Sequence, residues 1–117
     1  MLWLIKFEFR IIFSNMITKE QLDRIISRII RIYSPDQIIL FGSYAKGNFN
    51  EESDIDIAVI FNDYSSLIDM QLELMRLRRK IDSRIEPHPF RESEFESSNP
   101  LVSEIIKYGQ EINIKVV

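Results

Sequence analysis

The sequence predicts an α+β fold, a mixed β-sheet flanked by helices, and three observations lead there. Apolar residues recur at helical spacing over residues 19–33 and 67–81, short β-branched runs occupy 37–41 and 54–61, and turn-rich segments separate them. At 117 residues the chain has the size of one domain with one core.

Taken in order, Phe7, Phe9 and Ile11 alternate with Glu8, Arg10 and Ile12, which suits a short strand. Met16 precedes a helix start in which Thr18 as N-cap and Gln21 three residues on make a capping box. We therefore read residues 1–15 as an N-terminal extension, with Met16 as the candidate initiator, and residues 16–117 as the domain. From Lys19 to Tyr33 the positions Leu22, Ile25, Ile26, Ile29 and Tyr33 form an apolar stripe, with Arg24, Arg28 and Arg31 mostly on the other face. Ser34 and Pro35 end that helix, and Gln37 to Phe41 reads as a buried strand.

Gly42 and Ser43 close the strand, and Asp54 to Phe61 forms a second one. Ser65 or Ser66 caps a helix running to about Lys80, with Leu67, Met70, Leu74, Leu77 and Ile81 as its apolar stripe. Ser83 to Phe90 carries Pro87 and Pro89, so it is an edge strand or an extended segment at most. A last helix starts with Pro100 at its first position and ends at Gly109, and Ile112, Ile114 and Val116 alternate behind it as a final strand.

Composition excludes several classes. Apolar residues at 45% and charged residues at 28% describe an ordinary globular chain, and the net charge of −3 does not favour a nucleic-acid partner. With no cysteine there is neither a disulfide framework nor a thiolate metal site, so a metal must be held by oxygen or by the one histidine. The apolar start, MLWLIKFEFRIIF, is broken by Lys6, Glu8 and Arg10 and falls short of the roughly 20 residues that cross a bilayer. A cytoplasmic protein without a membrane anchor is expected.

Chemistry concentrates in Phe41-Gly42-Ser43-Tyr44-Ala45-Lys46-Gly47 and in Ser53-Asp54-Ile55-Asp56-Ile57-Ala58-Val59. A strand that stops at Gly-Ser and turns into a helical segment can present backbone N–H groups to phosphates. Asp54 and Asp56, two apart on a strand, point to one face and together form a hard-oxygen site suited to Mg²⁺. Asp-x-Asp alone is common at solvated strand ends. Joined to Gly-Ser on an adjacent strand it points to phosphoryl transfer.

Gly42-Ser43, ten residues and then Asp54-x-Asp56 resembles the signature of the DNA polymerase β nucleotidyltransferase superfamily, and within it the minimal nucleotidyltransferases. The resemblance extends from Met16 to the region of Gly109. It implies the nucleotidyltransferase, polymerase β-like palm fold, with Gly42 and Ser43 on the phosphates of an NTP and Asp54 and Asp56 on Mg²⁺, two ions being expected. The family's third carboxylate usually lies on a later strand. Glu86 takes that place here, where many relatives have Asp, as a metal ligand and as general base or electrostatic orienter for the acceptor hydroxyl. Many relatives carry Arg where Tyr44 and Lys46 stand. Lys46 can supply positive charge near the phosphates or serve as a solvated lysine. His88 is read as a local hydrogen-bonding residue facing the same side as Glu86. Arg76, Arg78, Arg79 and Lys80 either complement a helix C-terminus or dock a partner.

Minimal nucleotidyltransferases of this type commonly accompany a HEPN-domain toxin and neutralise it by AMP transfer to a tyrosine. The resemblance therefore implies an ATP-using, Mg²⁺-dependent protein adenylyltransferase acting as antitoxin. The alternatives are a non-catalytic antitoxin that blocks a HEPN ribonuclease by binding, and a small-molecule nucleotidyltransferase working as an oligomer.

Overall fold

The structure is a computed structural model and describes residues 19–48 and 53–114. The readings made on Phe7, Phe9, Ile11, Thr18 and Val116 fall outside them. Its elements are α1 (Lys19–Tyr33), β1 (Gln37–Phe41), the single turn α2 (Ser43–Lys46), β2 (Ile55–Phe61), α3 (Leu67–Arg78), β3 (Ile85–Arg91), a 3₁₀ turn (Glu92–Glu94), α4 (Pro100–Tyr108) and β4 (Gln110–Ile112). The strands form one sheet in the order β3-β2-β1-β4. β1 runs antiparallel to β2 and β4, while β2 and β3 are parallel and joined through α3.

Local chemistry explains most boundaries. The Ser66 hydroxyl accepts from the Asp69 N–H at 3.2 Å at the start of α3. Asn99 Oδ1 accepts from the N–H of Leu101 at 2.9 Å, and Pro100 fills the first position of α4, where no N–H is needed. β2 begins at Ile55 rather than at Asp54.

Alternation along β2 divides the core in two. Ile55, Ile57, Val59 and Phe61 pack with Leu22, Ile25, Ile26 and Ile29 of α1 and with Leu74 of α3. Ala58 and Ile60, on the opposite face, meet Ile39 and Phe41 of β1 and Ile105 of α4. The stripe expected on α3 holds except at its start: Leu74 is buried and Met70, Leu77 and Ile81 pack against the core, whereas Leu67 is 52% exposed.

α1 and α3 are tied by Tyr33, whose hydroxyl donates to Glu73 at 2.8 Å. Burial, with the hydrogen bond and negative charge of Glu73 behind it, pushes the Tyr33 phenol up from 10.0 to about 12. The folded chain thus keeps a proton that the unfolded chain loses, so this contribution is complete below pH 10 and disappears as pH rises through about 12. Thermal unfolding followed from pH 9 to about pH 12 should show a falling midpoint, and Tyr33→Phe should flatten part of that fall. An unchanged slope in the variant would count against this linkage.

β3 is an edge strand, as its prolines suggest, yet it pairs with β2 over all seven residues. The hydrogen bond from Ile55 N–H to the Arg84 carbonyl, 2.8 Å, sets the alternation that turns the main-chain groups of Glu86, His88 and Phe90 toward β2. Pro87 and Pro89 fall on the outward positions, where no ladder N–H is required. Their side chains share the α3 face with Ile85, and Gln71 Nε2 of α3 donates to the Pro87 carbonyl at 2.8 Å. Arg78 Nη1 donates to the Ile85 carbonyl at 3.0 Å.

Candidate active site

The end of the sheet where β1 finishes and β2 and β3 begin gathers the polar groups. Phe41 stands opposite Asp56 in the antiparallel pair, and Asp56 stands opposite Glu86 in the parallel one. Asp56 and Glu86 therefore lie side by side on the face that also carries Ala58 and Ile60. Two residues along, on the same face, His88 lies opposite Ala58 and reaches back, its Nε2 3.0 Å from Asp56 Oδ1. One ligating atom from each of Asp56, Glu86 and His88 can be chosen so that all three lie within 4.8 Å of one another.

Gly42 turns the chain directly beside these carboxylates. Its φ of 75° is open to glycine and costly for other residues, and a Cβ there would stand 2.5 Å from Asp56 Oδ2. The missing side chain is the space in which the Asp56 carboxylate sits. Gly42→Ala should cost about 1–3 kcal/mol from backbone conformation alone, since φ 75° with ψ −154° is essentially confined to glycine, and displace Asp56 as well. Denaturant unfolding tests the first effect, and a wild-type stability would show that the turn is not held as described.

α2 follows with Ser43 at its first position, and Tyr44, fully buried, anchors it in the α1-side core. Burial pushes the Tyr44 phenol up. The side chain of Lys46 meets the Glu104 carboxylate of α4 and lies 5.2 Å from the centre of the Tyr108 ring. Gln110 Nε2 donates to the Ala45 carbonyl at 2.9 Å. The Gly-Ser turn is thus fastened to α4 and β4, and Lys46, although exposed, pairs with Glu104 and lies beside Tyr108.

Asp54 is exposed, precedes β2 and is not in the Asp56–Glu86–His88 group. The turn that leads into β3, two residues before Glu86, is braced by an ion pair. Arg84 binds Asp82 there through its main-chain N–H at 2.9 Å and through Nη2 at 2.9 Å. Burial alone would raise the Asp82 carboxyl, but the hydrogen bonds and charge of Arg84 outweigh it and hold the carboxyl below its usual value. Arg78 donates to the Ser83 carbonyl at 2.8 Å as well as to Ile85, so one member of the basic cluster shapes this turn.

His88 is the local hydrogen-bonding residue that the sequence suggests, with Asp56 as its partner, and Tyr44 is a buried anchor that the sequence does not single out. The common parity of Glu86 and His88 was a signal for the first. Only the register between β2 and β3 puts the imidazole against Asp56.

The donor set fits a divalent cation that takes oxygen ligands, since two carboxylates converge beside a turn whose glycine leaves room for them. A mixed sheet with paired carboxylates next to a strand–Gly-Ser–helix turn defines a phosphoryl-transfer class of protein. The chain belongs to the nucleotidyltransferase domain family, whose sequence model matches residues 22–113. It is 32% identical over 80 residues, covering 66% of this chain and 78% of the other, to "Putative protein adenylyltransferase MJ0141" of Methanocaldococcus jannaschii. It also superposes on a chain from the crystal structure of a toxin–antitoxin with AMP-PNP, with a TM-score of 0.55 and 28% identity over 74% of this chain and 68% of that one. A chain from a mutant of the toxin–antitoxin MntA-HpeT gives a TM-score of 0.54 and 30% identity over 74% of this chain and 67% of that one.

Proposed function

We propose that this protein transfers AMP from ATP to a tyrosine hydroxyl of a HEPN-domain toxin and is its antitoxin, acting through residues 16–117 in the cytoplasm. The observation that carries the reading is the convergence of Asp56 and Glu86 beside the Gly42–Ser43 turn. The name of the Methanocaldococcus relative supports protein adenylylation, and the AMP-PNP and toxin–antitoxin structures support the nucleotide and the kind of partner.

In this reading Gly42 and Ser43 receive the triphosphate and Lys46 adds positive charge beside it. Asp54, Asp56 and Glu86 would hold Mg²⁺, with two ions expected, and the metal would supply positive charge to the phosphates and the acceptor oxygen. Glu86 takes the proton of the tyrosine hydroxyl as that oxygen bonds to the α-phosphorus. The bond from the α-phosphorus to the bridging oxygen breaks, and pyrophosphate leaves.

The test is incubation of the purified protein and the product of its neighbouring reading frame with Mg²⁺ and ATP labelled at the α-phosphate. Label on a tyrosine of the partner is the expected result. Neutralisation of the partner without label would replace the reading with inhibition by binding, and label on a small molecule would replace it with small-molecule transfer.

A further inference from the structure

We infer that His88 is a nitrogen ligand of the metal held by Asp56 and Glu86, and that this mixed set makes the site bind Mn²⁺ more tightly than Mg²⁺. The inference deepens the proposed transferase site and borrows from it only that the two carboxylates bind a divalent cation.

Three observations carry it. The ligating atoms of Asp56, Glu86 and His88 lie within 4.8 Å of one another, and Nε2 is 3.0 Å from Asp56 Oδ1. Around one octahedral ion with bonds of about 2.1 Å, neighbouring ligands stand about 3.0 Å apart and opposite ones about 4.2 Å, so the three atoms need only small movements to share it. The ring is also placed independently of its contact with Asp56. It packs on the buried Phe41 ring, 5.3 Å between centres and tilted by 58°, and its strand holds it opposite Ala58, whose methyl leaves the face open. Finally, among the described residues the three whose ligating atoms come within 4.8 Å of one another are Asp56, Glu86 and His88, which puts an imidazole beside the two carboxylates.

An imidazole changes which metal is preferred. Mg²⁺ favours oxygen ligands and gives up its waters reluctantly, whereas first-row transition ions accept nitrogen readily. Two carboxylates and the triphosphate oxygens remain hard donors, which suit Mn²⁺ and keep the site from being specialised for softer ions.

The experiment uses Mn²⁺ as the probe on the full chain, read by electron spin-echo envelope modulation. Nitrogen coupling to Mn²⁺ is expected, and it should change in protein carrying ¹⁵N-labelled histidine, of which His88 is the only one. His88→Ala and His88→Gln should abolish it and weaken Mn²⁺ binding at least 10-fold, as loss even of outer-shell partners costs 10- to 100-fold, with a much smaller change for Mg²⁺. Bound Mn²⁺ without nitrogen coupling overturns the inference, as does an equal loss for both ions. The coupling in the parent protein decides the matter even if a variant folds poorly. Nitrogen coupling in a protein that transfers no AMP with either metal would uphold this inference while removing the transferase reading.

Discussion

Asp56→Asn should reduce nucleotidyl transfer by roughly 10³-fold or more. The substitution keeps size and shape but removes the charge of a carboxylate that touches several parts of the site. Asp56 is opposite Glu86, 3.0 Å from His88 and seated in the space left by Gly42. Metal-assisted charge stabilisation contributes several kcal/mol to such reactions, and a loss of about 4 kcal/mol is about three powers of ten in rate. The side chain is partly exposed, so the thermal midpoint should move little. Binding of MgATP, followed by calorimetry, should weaken in parallel. A variant that transfers AMP within tenfold of the parent rate removes Asp56 from the chemistry.

Glu86→Gln should behave differently. General acid–base assistance contributes about 10²- to 10⁴-fold, and transfer should fall by that amount, with MgATP binding weakened less than in Asp56→Asn. The neighbouring strand puts Glu86 beside Asp56 at the usual inter-strand spacing of about 4.8 Å, within reach of the same ion and of an acceptor approaching from the open edge. If Glu86 were only an edge residue, the substitution would change stability by no more than about 0.5 kcal/mol and leave the rate intact. Measuring the rate and MgATP affinity together separates a base, which alters the first alone, from a dominant metal ligand, which alters both.

Much of this arrangement was legible because it is written locally. α1, β1 and α4 occupy the spans that their periodicity and their caps or breakers predict, since a Ser34-Pro35 break or an Asn99-Pro100 start acts within one turn of chain. The Asp-x-Asp argument also needed only the two-residue period of a strand, although the strand starts one residue later than expected and leaves Asp54 outside the group. Long-range pairing was not legible. The contact of His88 with Asp56 spans 32 residues and that of Lys46 with Glu104 spans 58, and both follow from how separate elements pack. Pro87 and Pro89 argued against a fully paired strand. They are tolerated because register, which no single segment encodes, places both on the side away from β2.

That outer side of β3 also decides how this protein can meet others. A strand seeking to extend the sheet there would find no N–H at Pro87 or Pro89, and the carbonyls of Ile85 and Pro87 already accept from Arg78 and Gln71. Edge-to-edge addition, the commonest route from a small sheet to an aggregate, is therefore blocked at the strand that carries Glu86 and His88. A neighbouring molecule meeting this edge would have to do so through side chains rather than by lengthening the ladder.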